Sequence, residues 1–187
     1  MPVEITKRLF DVDDYHRMAQ AGILSEDDRV ELIGGEIVAM TPIGPRHNAS
    51  VNRATRALVT TVGDRAIVQV QGSVRLDRFQ EPQPDLVLLR SQPDFYASRL
   101  PGAADILLII EVAESSLDYD REVKARIYAQ SEVQEYWLVD LDERLVSCYT
   151  EPQGGAYQRL QQCRAGQSLA PRALPECTIA VDVLLPD

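Results

Sequence analysis

The sequence is poor in cysteine and histidine. It contains 3 cysteines and 2 histidines in 187 residues, with the cysteines at positions 148, 163 and 177. A zinc site or a disulfide framework is therefore not expected, because the sequence has neither a Cys-x-x-Cys pair nor a cluster of histidines. The odd number of thiols favours a reducing compartment, and we expect the protein to be cytoplasmic.

Long apolar runs and an excess of positive charge are also missing. No run of about 18 uncharged apolar residues occurs, so no membrane-spanning helix is expected. Lys and Arg total 19 against 29 Asp and Glu, which gives a net charge of −10. Proteins that bind nucleic acid are usually basic, because the neutralisation of phosphates supplies most of the non-specific affinity. A polyanionic substrate would therefore have to meet a local patch of positive charge.

The residues that are present suffice for a globular core. With 45% hydrophobic residues in 187 positions, the chain is long enough for one domain and too short for two comfortable ones. We therefore expect a single domain over residues 1–187. The N-terminus has no hydrophobic core of the signal-peptide type, and we expect it to belong to this domain.

A short helix and a hairpin are predicted near the N-terminus. Asp11 is a typical N-cap for the helix, because acidic residues follow it in the first turn. The turn Gly34-Gly35 separates two alternating segments and predicts a β-hairpin. Pairing across this turn places Glu31 and Glu36 on one face. The hairpin therefore presents two acids together.

A longer helix is predicted for residues 45–62, which begin with proline and carry apolar residues at three- and four-residue spacing. Arg46, Arg53 and Arg56 lie on one face of this helix. They form the only compact basic feature of the sequence. His47 lies at the start of the same helix.

Acidic residues adjoin two strongly apolar segments. Glu111 directly follows residues 107–110, which are apolar on both faces and typical of a fully buried strand. Asp85 adjoins a similar segment, residues 86–89. A buried carboxylate is costly unless a cation neutralises it, and the sequence offers either Lys124, on the next predicted helix, or a bound divalent metal. Two adjacent central strands that end in carboxylates can hold one hard cation between them.

The rest of the chain continues an alternation of strands and helices. Residues 91–103 form a loop of the length used for lids and substrate-facing segments. Residues 135–143 are typical of another buried strand that ends in acids, and an antiparallel pair of strands follows.

Six segments of the sequence, in this order, resemble the PD-(D/E)XK nuclease superfamily and, within it, the Uma family of restriction-endonuclease-like proteins. They are VELIGGEIVAM, GPRHN, PDLVLL, LLIIEVAESS, DREVKARIYA and VQEYWLVDLD, and they extend from about Arg29 to Asp142. Each segment is weak alone, but the ordered set is specific. The resemblance implies an α/β (α+β) fold with a restriction-endonuclease-like mixed β-sheet flanked by helices.

The resemblance further implies a metal-dependent endonuclease that hydrolyses phosphodiester bonds, those of DNA, with Mg²⁺ or Mn²⁺ as the cofactor. The implied metal ligands are Asp85, Glu111 and the carbonyl of Val112. In the general superfamily pattern a lysine stands two residues after the last acid, where this chain has Ala113. The Uma-like pattern places the lysine on the following helix, which implies that Lys124 orients the attacking water or stabilises the transition state.

Further roles extend the same hypothesis of a nuclease. Glu36, with Glu31 as the alternative, would supply an additional carboxylate, and His47 would contact the substrate or assist proton transfer. Arg46, Arg53 and Arg56 would contact the phosphates of DNA. A homodimer would bring two such arginine faces together, which would reconcile the acidic net charge with a DNA substrate.

Each of these residues also has a purely structural interpretation. Glu111 and Lys124 could form a buried ion pair and nothing more, and Lys124 could pair with Asp120 one helical turn away. The chain could then be a catalytically inactive nuclease fold that serves as a binding or interaction module. The presence of Asp85, Glu111 and Lys124 together favours the enzyme, whereas the net charge favours the module. Hydrolysis of another phosphoester is a third possibility.

Overall fold

The computed structural model describes residues 6–25 and 27–186. The helices are α1 (Val12–Gln20), α2 (Pro45–Val62), α3 (Leu117–Tyr119), α4 (Ala125–Gln130) and α5 (Val181–Leu184). The strands are β1 (Val30–Ile33), β2 (Glu36–Ala39), β3 (Ala66–Val70), β4 (Leu86–Arg90), β5 (Ile106–Ala113), β6 (Glu135–Asp140), β7 (Leu145–Gln153), β8 (Ala156–Arg164), β9 (Ser168–Leu169) and β10 (Ile179–Ala180).

Six strands form one mixed sheet in the order β3-β4-β5-β6-β7-β8. β5 and β6 are parallel, and the other neighbours are antiparallel. Every residue of β5 and β6 is buried, which explains why their sequences are apolar on both faces rather than alternating.

Helices cover both faces of this sheet. One face packs against α2 and α5 through a core that includes Leu58, Leu108 and Trp137. The other face packs against α4 through a core that includes Ile109 and Tyr128. The predicted mixed sheet flanked by helices is confirmed. Among the described helices, none combines the length and apolar character that crossing a bilayer requires.

The hairpin and the two N-terminal helices follow the sequence pattern closely. β1 and β2 pair around Gly34-Gly35, with Glu31 opposite Val38. Both glycines have positive φ angles, 60° and 75°, as a tight hairpin turn requires. α1 begins after the predicted N-cap, Asp11, whose side chain accepts a hydrogen bond from the Asp14 N–H. α2 has the predicted bounds, 45–62.

The helical segment after β5 departs from the pattern of a continuous α-helix. Between α3 and α4 the backbone forms a π-helical turn, Asp120–Lys124. Such turns widen the helix by one residue and are frequent at functional sites. This turn carries two of the charged residues of the site described below.

The loop at residues 91–103 lies at the end of the sheet remote from the acids that adjoin β4 and β5. These strands are antiparallel, with Leu86 opposite Ile110. Asp85 and Glu111 therefore lie at one end of the pair, and the loop connects the other end. The loop does not form a lid over these acids.

Candidate active site

A cleft of about 290 Å³ opens where β4 begins and β5 ends. Besides these two strand ends, four parts of the chain contribute to its lining: the hairpin with the loop that follows it, the N-terminus of α2, the segment that follows β5, and the π turn. The charged and histidine side chains in the lining are Arg29, Glu31, His47, Asp85, Glu111, Glu114, Asp120 and Lys124. The topology of the sheet therefore brings residues nearly 100 positions apart in sequence to one cavity.

Asp85 is held by groups from three elements. Its Oδ2 atom accepts hydrogen bonds from the backbone N–H of Val112 and from His47 Nε2, each at 2.9 Å. Gln71 donates its backbone N–H to the Asp85 carbonyl at 3.0 Å and its side-chain amide to Asp85 Oδ1 at 3.4 Å. The φ angle of Gln71 is +47°, a left-handed conformation that is unfavourable for a residue with a side chain.

Glu111 is almost completely buried, with 3% of its surface exposed. Its Oε1 atom accepts hydrogen bonds from Lys124 Nζ at 2.9 Å and from the Tyr128 hydroxyl at 2.6 Å, and its Oε2 atom accepts the Asp85 N–H at 3.2 Å. Burial raises the pKa of Glu111 to about 8; Lys124 opposes this shift, and the nearby Asp85 and Asp120 add to it. The side chain therefore carries a large cost of ionisation.

Lys124 is the ammonium of this cluster. Its Nζ atom lies 2.9 Å from Glu111, 3.6 Å from Glu31 and 3.9 Å from Asp120. Burial alone lowers the pKa of Lys124, but the attraction of the three carboxylates outweighs it and the net direction is upward. Lys124 is therefore held in its charged form.

Asp120 completes the group of acids. Burial raises its pKa to about 6, and the hydroxyl of Ser116, which donates a 2.6 Å hydrogen bond to Oδ2, opposes this shift. The cleft thus gathers five carboxyl groups, because Glu114 lines it together with Glu31, Asp85, Glu111 and Asp120. One ammonium and one imidazole face them in the contacts described above. Ionisation of all these acids would place an excess of negative charge in a poorly solvated site.

Of the two hairpin acids, Glu31 lies in this cluster and Glu36 lies outside it. Glu31 is 3% exposed and accepts a hydrogen bond from the Gln83 N–H at 3.2 Å. Glu36 is exposed, pairs with Lys7 at 2.7 Å and does not line the cleft. Both acids share a face, as predicted, but Glu36 lies beside the turn opposite Ile33. Glu36 is therefore two residue pairs closer to the hairpin turn than Glu31, and farther from the cleft.

The three arginines of the predicted basic helix face differ in their surroundings. Arg46 lies near the cleft, where its guanidinium contacts Glu114 at 3.4 Å, Asp142 at 3.0 Å and the Leu141 carbonyl at 2.8 Å. Arg53 and Arg56 are exposed, and neither forms an ion pair with another residue of the described ranges. Two of the three arginines are thus available to an external anion.

The sequence pattern did not assign Tyr128, Gln71, Tyr119 or Arg29 to the site. Tyr128 follows Lys124 by four positions on the same helix, so its spacing could have indicated its contact with Glu111. No such signal exists for Gln71, whose contact with Asp85 depends on a left-handed backbone. Tyr119 and Arg29 line the cleft from segments where side-chain orientation could not be read from the pattern.

The donor groups fit a hard divalent cation in their chemistry and their charge. Mg²⁺ is bound in proteins through one or two carboxylates and keeps several waters, and Asp85 and Glu111 supply two carboxylates beside Val112. A divalent cation would also offset the excess of negative charge. Within the described ranges, 6–25 and 27–186, no three His, Cys, Asp or Glu side chains form a group that could hold a metal. The protein side therefore offers a site that solvent or substrate must complete.

Comparison with known proteins gives a consistent result. The model of the Uma2 family, described as "Putative restriction endonuclease", matches residues 12–182. A crystal structure described as "a putative nuclease belonging to DUF820 from Anabaena variabilis ATCC 29413" superposes with a TM-score of 0.74 at 17% sequence identity, covering 94% of this chain and 97% of that chain. At this identity the likeness concerns the fold. No curated protein sequence matches the chain.

Proposed function

We propose, since this chain belongs to the Uma2 family of "Putative restriction endonuclease" proteins, that it is an endonuclease that hydrolyses phosphodiester bonds of DNA with Mg²⁺ or Mn²⁺. One observation carries the proposal. Three carboxyl groups surround a buried ammonium beside an open cleft, and Asp85 lies next to one of them, Glu111, at the adjacent strand end. Such an arrangement is unfavourable for stability and is suited to binding a cation together with a phosphate.

The metal would be held by Asp85, Glu111 and the carbonyl of Val112. A bound divalent cation supplies two effects in phosphoryl transfer: it polarises the phosphoryl group and lowers the pKa of a bound water. The residues of the chain supply the rest. His47 and Gln71 fix the orientation of the Asp85 carboxylate, and Tyr128 and Lys124 fix that of Glu111.

Lys124 is suited to stabilise negative charge or to orient water. Its three acidic neighbours keep it protonated, so it is a donor of hydrogen bonds and does not act as a base. In a poorly solvated cleft its charge acts on a transition state more strongly than it would in water. His47 is the group suited to move a proton, because its Nδ1 atom is buried and has no hydrogen-bond partner among the described residues.

DNA as the substrate and a homodimer as the working form are part of this proposal. The support for DNA is the pair of exposed arginines, Arg53 and Arg56, on the helix whose N-terminus borders the cleft. In a two-fold dimer two such helices would face one duplex. The net charge of −10 makes such a local arrangement necessary for binding a polyanion.

A second candidate function has its own support. Both oxygens of Glu111 already accept hydrogen bonds from the protein, and the described residues hold no ready group of three metal ligands. The cluster would then be a structural ion-pair network in a catalytically inactive module that binds another macromolecule. Buried ion pairs of this kind occur without any catalytic role.

A cleavage assay separates the two candidates. Supercoiled plasmid and single-stranded DNA are incubated with wild-type protein and Asp85→Asn, with Mg²⁺, Mn²⁺ or EDTA. The enzyme proposal predicts nicking or degradation that requires the metal and is lost in Asp85→Asn, with an unchanged melting temperature as the control for folding. Absence of cleavage by the wild-type protein on both substrates, with both metals, would refute the enzyme in favour of the module.

A further inference from the structure

The Tyr119 hydroxyl is a polar group in the cleft that the cluster itself leaves without a partner. Tyr119 ends α3, directly before the π turn, and lines the cleft. Its Oη atom is buried and has no hydrogen-bond partner among residues 6–25 and 27–186. Buried hydroxyl groups are nearly always hydrogen-bonded in native proteins. The missing partner must therefore come from outside the described residues, and a water or a ligand in the cleft can supply it.

The surroundings of this hydroxyl make it a donor. Burial raises the pKa of Tyr119 to about 12, and the carboxylates of Glu31, Asp120 and Glu111 contribute to the shift while Lys124 opposes it. The phenol therefore stays protonated at neutral pH. It can donate a hydrogen bond to an acceptor that enters the cleft, for example an oxygen of a phosphate.

Arg29 supplies a positive charge to the same cleft. It directly precedes β1, and its carbonyl accepts the Met40 N–H at 2.8 Å, which ties its backbone to the hairpin. Alternation along the strand places its side chain on the same side as that of Glu31, and both side chains line the cleft. Arg29 is exposed, and no carboxylate within the described ranges forms an ion pair with it.

The two groups differ from the other donors of the site. Lys124, Tyr128 and His47 Nε2 already donate to carboxylates of the cluster. Tyr119 and Arg29 are donors that line the cleft and have no acidic acceptor within hydrogen-bond distance among the described residues. A negatively charged substrate entering a cleft lined by acids must use such uncommitted donors, because the carboxylates repel it.

We propose that Tyr119 and Arg29 bind a phosphate group of the nucleic-acid substrate, Tyr119 as a neutral hydrogen-bond donor inside the cleft and Arg29 as a cation at its edge. The inference rests on the proposed nuclease function. Neither Tyr119 nor Arg29 belongs to the site residues predicted from the sequence.

The two roles have different signatures in a binding experiment. The affinity for a short fluorescent oligodeoxynucleotide is measured by anisotropy at several salt concentrations in Ca²⁺. We expect Tyr119→Phe to weaken binding by about tenfold, the value of one hydrogen bond to a charged group, without changing the salt dependence. We expect Arg29→Gln to weaken binding and to reduce the slope of log K against log salt by about 1.

Matched controls exclude indirect effects. Arg159→Gln removes the same charge from β8, the far edge strand of the sheet, and is expected to leave both affinity and slope unchanged. Tyr15→Phe removes a hydroxyl that donates to the Val30 carbonyl at 3.0 Å, so it should lower the melting temperature without affecting affinity. Tyr119→Phe removes no hydrogen bond within the described ranges, and its melting temperature should match that of the wild type.

Steady-state cleavage in Mg²⁺ or Mn²⁺ gives a second measurement. Both variants should raise KM more than they lower kcat, because the contacts are made with bound substrate in the ground state as well as the transition state. Wild-type affinity, salt slope and KM in both variants would overturn this inference and leave the nuclease intact. A wild-type protein that neither binds nor cleaves the oligonucleotide would overturn the inference together with the proposed function.

Discussion

Two buried glutamates on neighbouring strands, Glu111 on β5 and Glu135 on β6, have the same exposure and opposite surroundings. Each is 3% exposed. Glu135 accepts hydrogen bonds from Trp137 Nε1 at 2.8 Å and from the Arg172 N–H at 2.7 Å. Both donors are neutral and fixed. Glu111 instead lies between Lys124 and other carboxylates, beside a cleft.

The positions of the two residues explain the difference. β5 and β6 are parallel, with Glu111 opposite Leu138, so Glu135 lies three residues before that position. Alternation along β6 places Glu135 on the other face of the sheet. The hydrogen bond from Arg172 joins the C-terminal part of the chain to β6, which is a structural task. Burial alone is therefore a poor indicator of function. A surplus of like charge beside a cavity is the informative feature.

The largest expected difference concerns cleavage. Replacing one group that stabilises the transition state costs up to about a thousandfold in rate, and we expect a loss of this size in Glu111→Gln. Glu135→Gln should retain the wild-type rate per folded molecule, because Glu135 does not line the cleft. Comparable losses in the two variants, measured in Mg²⁺ and corrected for the folded fraction, would remove the distinction between the two acids.

The loss of stability on removing a partner should also differ between Glu111 and Glu135. Lys124→Met leaves the carboxylates without their ammonium, and breaking a buried pair from one side costs about 3–5 kcal/mol. The loss should be largest at pH 8 and smaller at pH 5, where the acids bind protons. Trp137→Phe removes a hydrogen-bond donor from Glu135. Chemical denaturation of this variant should show a loss of stability that depends much less on pH.

The dependence of stability on pH follows from the raised pKa of Glu111. Its ordinary value is 4.5 and its value in the folded protein is about 8, so the unfolded chain releases this proton first as the pH rises. The free energy of unfolding should therefore decrease as the pH rises from about 4.5 to about 8. Glu111→Gln lacks this titration. The stability of the variant relative to the wild type should rise over that pH range in urea titrations, and a constant difference would contradict the assigned environment.

The two hairpin acids provide a smaller test of cleavage. Glu31→Gln should lower the rate because Glu31 lies 3.6 Å from Lys124 and helps to hold it in place. Glu36→Gln should be neutral, because its partner, Lys7, is an exposed residue and exposed pairs contribute little. A loss in Glu36→Gln with a normal rate in Glu31→Gln would restore the original preference.

The smallest effect is expected on the arginine helix. Arg53→Gln should reduce the salt slope of DNA binding by about 1, since Arg53 has no ion pair within the described ranges. Arg46→Gln should change the slope less, because Arg46 is already occupied by Glu114 and Asp142. Equal slopes for Arg53→Gln and the wild type would exclude this helix from the DNA interface.

Much of the fold was predictable from local signals. The turn glycines fixed the register of the hairpin, and the apolar runs on both sides of residue 100 identified the central strands. These signals are strong because a one-residue shift would expose a buried face. The bounds of α2 followed from its leading proline and its apolar spacing.

The site was less accessible to the sequence because it depends on non-local geometry. The sequence offered Lys124 or a divalent metal as the partner of Glu111, but the π turn that carries Lys124 left no signal in the pattern. The choice between Glu31 and Glu36 depended on which end of β1 and β2 meets the sheet. Gln71 reaches Asp85 from a left-handed backbone conformation. A glutamine in the sequence gives no indication of that conformation.

Binding of a divalent cation by the cleft is the central claim, and isothermal titration calorimetry tests it most directly. Mg²⁺ and Mn²⁺ are titrated into wild-type protein, Asp85→Ala, Glu111→Ala and Glu135→Gln. The account predicts binding by the wild type and by Glu135→Gln, and loss of that binding in Asp85→Ala and Glu111→Ala. No binding to the wild type at millimolar metal, together with a large loss of stability in Glu111→Ala, would contradict it and identify the cluster as a structural ion-pair network.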